Sequence, residues 1–127
     1  MPIISGEADL LRKGKAMPYV EVNKVKCFET TDGIGKDDLY IAIAGEKVWP
    51  YYGNYEQIGE GEEKLIGGAR RAFQGTVEVG LWEYDSGSAD DKIGTFTAYE
   101  SSLGDGEREL DLTGDGSHYK VFFEVVE

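Results

Sequence analysis

Two stretches of this chain crowd carboxylates into glycine-containing turns. Asp32-Gly33-Ile34-Gly35-Lys36-Asp37-Asp38 runs straight into the apolar alternation that starts at Leu39. Glu83-Tyr84-Asp85-Ser86-Gly87-Ser88-Ala89-Asp90-Asp91 follows a second alternation and turns into Lys92-Ile93-Gly94. The outer aspartates of each turn, Asp32 and Asp38 in one and Asp85 and Asp91 in the other, are six residues apart. That spacing lets two carboxylates curl back toward one point, and Glu83 and Asp85, two apart at the end of a strand, point to the same side. Carboxylates about 4 Å apart repel by roughly 4 kcal/mol at an effective dielectric near 20, so five gathered at one apex demand a counter-charge. Hard oxygen donors in flexible loops, about six to eight per ion, suit calcium, whereas magnesium holds to a stricter octahedron and keeps its water.

The elements that must position these turns are short β-branched and aromatic runs separated by Gly, Asp and Asn, the pattern of an all-β domain. Strands are expected at Tyr19 to Glu29, at Leu39 to Ala44, leading through Gly45-Glu46 into Lys47-Val48-Trp49, and at Gly75 to Tyr84. Ile93 to Ala98, Glu107 to Leu112 and Tyr119 to Val126 add three more, with one or two others between Tyr51 and Phe73. Leu39, Ile41 and Ile43 share one face of their strand, as do Val77, Val79 and Leu81, and Tyr119, Val121, Phe123 and Val125 face the core in the last. The set predicts an antiparallel two-sheet β-sandwich of about eight strands over residues 19–127, preceded by an arm or short helix over residues 1–18. Gly104-Asp105-Gly106 and Gly114-Asp115-Gly116 read as hairpin punctuation around one strand.

Composition narrows the partners. The chain has 127 residues, 40% of them hydrophobic, enough for one packed core, and 13 Lys and Arg against 25 Asp and Glu give a net charge of −12. Such a surface repels phosphate backbones, so nucleic acid is excluded as a partner, while cations are attracted. The single cysteine, Cys27, makes no internal disulfide and reads as a small core hydrophobe. No apolar run approaches the roughly 20 residues of a transmembrane helix, and the first residues lack the charged-then-apolar layout of a secretory signal. A soluble protein is expected, with the cytoplasm as the favoured compartment.

Residue by residue, the two acidic turns resemble those of the C2 domain family, a sandwich that binds calcium and often phospholipid through loops at one apex. Asp32, Gly35 and Asp38-Leu39-Tyr40 match the family's first loop, in which Asp-Pro-Tyr enters a strand. Glu83-Tyr84-Asp85, five residues, then Asp91-Lys92-Ile93-Gly94 match its third, Asp-x-Asp followed by Asp-x-Ile-Gly, and Val77 to Trp82 is similar to the strand that feeds it. The resemblance covers Tyr19 to Val126 and implies calcium ligation by Asp32, Asp38, Glu83, Asp85 and Asp91, one to three ions in all. Asp37 and Asp90 each stand beside one of these and could substitute for it. Leu39 replaces the family's proline, and Glu83 replaces an aspartate with a reach one methylene longer.

Calcium-dependent association with phospholipid or a protein partner is the further implication, though the third loop tip, Ser86-Gly87-Ser88-Ala89, offers no apolar wedge and Arg70-Arg71 is the only basic pair in the body of the domain. The alternative is a metal-independent sandwich that binds protein through its edges or carbohydrate through Trp49, Tyr51, Tyr52 and Tyr55. An enzyme is not expected: the chain has no Cys–His pair, no Gly-x-Ser-x-Gly and no phosphate-binding loop, and its lone histidine, His118, reads as a surface turn residue.

Overall fold

Period-two alternation decides which side chains meet, and the computed structural model, which describes residues 17–31 and 33–127, packs two antiparallel sheets on the faces so defined. The expected arm and Asp32 lie outside the described residues, apart from Met17 and Pro18. Strands β1 (Tyr19–Glu29), β2 (Lys36–Ile43), β3 (Glu46–Trp49), β4 (Glu56–Gly59), β5 (Glu63–Leu65) and β6 (Arg70–Ala72) are followed by β7 (Thr76–Glu83), β8 (Asp91–Tyr99), β9 (Arg108–Leu112) and β10 (His118–Val126).

Ten segments fill only eight rows, because two edges are split. One sheet runs β5-β1-β10-β9, with β6 on the same side of β1 as β5; the other runs β3-β2-β7-β8, with β4 beside β3 on β2. Three short strands therefore stand between Tyr51 and Phe73, where one or two were expected. Gly67-Gly68 interrupts one split edge and the cis Trp49-Pro50 bond with the loop after it interrupts the other.

The core is the one the alternation predicts. Leu39, Ile41 and Ile43 of β2, Val79 and Leu81 of β7, and Tyr119, Val121, Phe123 and Val125 of β10 are all buried. A bulge at Asn23 shifts β1 by one residue, so that Val20 and Val22 before it and Val25 and Cys27 after it all reach the core. Three readings change. Gly104-Asp105-Gly106 is not a hairpin turn, because β8 and β9 belong to different sheets and this segment crosses between them; only β9 and β10 form the hairpin. Trp49, 5% exposed, is a core residue and no part of a surface platform. His118 opens β10, half-buried, with its ring 4.7 Å from that of Phe28.

Cys27 has no exposed surface, and burial pushes its thiol above the ordinary range. A thiol reagent at mildly alkaline pH is expected to leave the native domain unlabelled and to react fully once denaturant is added; labelling of native protein at the rate of a free thiol would contradict this packing.

Candidate metal centre

The two acidic turns meet. The β1–β2 loop, the β4–β5 turn, the β7–β8 loop and the β9–β10 turn all lie at one end of the sandwich, since the end of β1 pairs with the start of β10 and the start of β2 pairs with the end of β7. Thr31 links two of them directly: its hydroxyl lies 2.9 Å from Glu83 Oε1 and 2.7 Å from Asp37 Oδ1 and donates its single proton to one at a time.

At this end the structure gathers Glu83, Asp91 and Asp115, whose carboxylate oxygens lie within 4.8 Å of one another. Glu83 closes β7 on the same face as Val79 and Leu81. Asp91 faces it because of a bulge: the β7–β8 register steps from Leu81 opposite Gly94 to Trp82 opposite Lys92, and the extra residue, Ile93, brings Asp91 across from Glu83. The Ile93 carbonyl accepts the Gly114 N–H at 2.7 Å, which pins the β9–β10 turn against β8. Only glycine permits that approach, since a Cβ on residue 114 would stand 2.2 Å from the Ile93 carbonyl oxygen. Asp115, the next residue, at φ 55°, is thereby delivered to the other two. Sequence reasoning saw this aspartate as turn punctuation; the adjoining glycines marked a turn, but its closeness to β8 depends on a bulge that no local pattern announces.

The other carboxylates expected to ligate are placed differently. Asp37 is 1% exposed and points inward, accepting from the Thr31 N–H at 3.0 and 3.1 Å and from the Tyr119 hydroxyl. Asp38, one residue on, takes the opposite face of β2 and accepts from Gln57 at 3.2 Å. Asp90 accepts the Tyr40 hydroxyl at 2.6 Å and the Asp85 N–H at 2.9 Å. Asp85 turns into its own loop, accepting the Gly87 N–H and the Ser88 hydroxyl, both at 2.8 Å. The Gly87 amide first, then the Ser88 hydroxyl, hold Asp85 below the usual carboxylate range. Because its folded value lies below the unfolded one, the stabilisation it gives is present above the unfolded value of 3.8 and is lost as the pH falls through the folded value.

The donor set fits a hard divalent cation, since three carboxylates offer the anionic oxygens that calcium prefers. The one buried side-chain oxygen without a hydrogen-bond partner among the described residues, Thr30 Oγ1, also belongs to this end. Replacing Gly114 by alanine is expected to push the β9–β10 turn off β8 and carry Asp115 away from Glu83 and Asp91, lowering any affinity of this cluster for a divalent cation about tenfold or more in a titration; a cation affinity equal to the parent's would show that the turn's close seating is unnecessary.

No protein-family model matches the chain, and no curated protein matches it in sequence. Its fold does match solved structures. It is similar to the C2 domain designated A of plant extended synaptotagmin 1 at 14% identity and a TM-score of 0.55, over 87% of this chain and 92% of that one. It is also similar to human GIVD cytosolic phospholipase A2 in complex with methyl gamma-linolenyl fluorophosphonate, at 14% identity and a TM-score of 0.50, over 87% of this chain but only 17% of that longer one. The same human protein with that inhibitor and terbium chloride matches at 15% identity with a TM-score of 0.50. These likenesses show a C2-like fold. Among the described residues no helix is long and apolar enough to cross a membrane.

Proposed function

We propose that this C2-like sandwich is a calcium-binding module rather than an enzyme, with its ion held at the loop end by Glu83, Asp91 and Asp115. One observation carries the reading: three carboxylates from three separate pieces of chain bring their oxygens within 4.8 Å of one another. At that separation each pair of charges repels by about 3.5 kcal/mol or more at an effective dielectric near 20, and a divalent cation turns the repulsion into attraction. Calcium's flexible coordination accepts a glutamate beside two aspartates. The chain's own contribution is to aim the oxygens, by the β8 bulge and by the turn seated on Ile93.

Phospholipid or protein association would follow from the change of charge at this apex. Ile34, 83% exposed on the β1–β2 loop, and exposed Lys36 and Lys92 are among the groups the apex offers a headgroup layer. Arg70 and Arg71 are remote from it and lie 3.6 and 2.8 Å from Glu21 and Glu46, so they add no basic patch there. Lipid affinity is therefore expected to be weak and calcium-dependent, read by co-sedimentation with phosphatidylserine vesicles in calcium and in chelator.

The test of the metal itself is a calorimetric titration of chelator-stripped protein with calcium chloride. Saturable binding is expected, lost in the Asp91→Asn, Asp115→Asn double variant and weaker with magnesium chloride. Absence of saturable heat, or a double variant that binds like the parent, would remove calcium from the account.

A further inference from the structure

On the outward face of the β3-β2-β7-β8 sheet lies a groove of about 380 Å3, lined among others by Tyr40, Trp82, Tyr84, Asn54, Lys47 and Asp90. Its floor is aromatic. Tyr40 and Trp82 are cross-strand partners with ring planes within 10° of each other and centroids 6.4 Å apart. The Trp82 indole rests where a side chain on residue 80 would be: a Cβ on Gly80 would stand 2.7 Å from Trp82 Nε1. Tyr84 is backed by Tyr55, stacked at 5.4 Å. The loop that carries Asn54 also carries Tyr51 and Tyr52, 83% and 85% exposed, with their rings edge to face at 4.7 Å. Two tyrosines left in water beside an aromatic groove form a surface rich in flat apolar faces with polar edges.

Charge decides which ligand suits it. The net charge of −12 and Asp90 disfavour an anion. A cation is disfavoured as well, because Lys47 lines the groove and Lys92 Nζ already stands 6.0 Å from the Trp82 ring centroid. What remains is an uncharged molecule with flat C–H faces to lie on aromatic rings and hydroxyls to meet an amide, an ammonium and a carboxylate. A pyranose ring has that chemistry, and the volume falls in the lower part of the range for small-molecule sites.

We propose that this groove binds a neutral saccharide, its ring stacked on Trp82 and Tyr84 and its hydroxyls bonded to Asn54, Lys47 and Asp90. The site is separate from the calcium reading and does not depend on it. Tyr40, tied to Asp90 through its hydroxyl at 2.6 Å, keeps the floor fixed, and Gly80 keeps it low.

The test presents the whole domain, in chelator and again in calcium, to arrays of neutral oligosaccharides built from glucose, mannose, galactose and N-acetylglucosamine. Any series retained is then titrated by tryptophan fluorescence. Trp49 is buried, so a ligand in the groove is read by Trp82. Binding is expected for at least one series, equal in both buffers, about tenfold weaker in Tyr84→Ala and weakened in Gly80→Ala. It should also weaken in Asn54→Ala, a loop variant whose unfolding temperature stays that of the parent. The assignment is overturned if no neutral series binds, if binding disappears on chelation, or if Tyr84→Ala and Asn54→Ala bind like the parent.

Discussion

Saturating calcium is expected to raise the unfolding midpoint of the chelated domain by about 10 °C. An ion at a hundred times its dissociation constant adds about 2.7 kcal/mol to the native state, a large fraction of the roughly 5–15 kcal/mol that a single domain possesses. For a chain of this size each kilocalorie moves the midpoint by a few degrees. The variants carry the sharper test, because two effects of opposite sign separate. In chelator, Asp115→Asn removes one of three crowded charges and should unfold slightly above the parent. In calcium the same variant should lose most of the increment and fall below it. Asp85→Asn, whose parent oxygens are engaged by Gly87 and Ser88, should retain most of the increment. A midpoint indifferent to calcium, or an Asp115→Asn curve parallel to the parent in both buffers, would defeat the reading.

The second large effect concerns Asp37. Asp37→Ala is expected to destabilise the domain by about 3 kcal/mol or more, read by denaturant unfolding. The carboxylate is 1% exposed and satisfies the Thr31 amide, competes with Glu83 for the Thr31 hydroxyl, and accepts the phenol of Tyr119, itself without exposed surface. Alanine leaves the buried phenol facing a cavity as a donor without an acceptor, at about 1–3 kcal/mol, and the half-buried Thr31 amide without its carboxylate at a smaller cost. Burial, then the Asp37 contact, push the Tyr119 phenol far above its ordinary range, so ionisation offers it no escape. Tyr119→Phe should cost less, since it removes a donor and strands none, and the two changes together should cost less than their sum. Strict additivity, or an Asp37→Ala variant within about 0.5 kcal/mol of the parent, would mean that this contact does not hold the β1–β2 loop to the opposite sheet.

Much of this architecture is legible in the amino-acid sequence. The parity of Leu39, Ile41 and Ile43 already placed the core face of β2, and the same parity carried back to residue 37 assigns Asp37 to the interior and Asp38 to the outer face. Period-two patterns are local, and one buried face fixes them. The meeting of the two acidic turns was also legible, because antiparallel strands alternate in direction and so bring every second turn to the same end. The bulge at Ile93 and the seat of Gly114 were not, because both are contacts between segments distant in sequence. They decide that Asp115 joins Glu83 and Asp91 while Asp85 turns back on its own loop. β5 and β6 escaped individual notice for a related reason: three-residue strands hold too few alternations to show a period.

The split edges bear on how this domain behaves at high concentration. A full-length marginal strand would present an unbroken comb of amide and carbonyl groups onto which another copy could zip, the first step toward a fibril. Here β3 with β4, and β5 with β6, break that comb on one side of each sheet. On the other side of the first sheet, β9 reads Arg-Glu-Leu-Asp-Leu, whose two exposed carboxylates, Glu109 and Asp111, repel a like-sequenced neighbour. The nine-residue β8 is the longest margin left, with Lys92 near its beginning, so a charge-neutralising change there is where resistance to polymerisation would first fail.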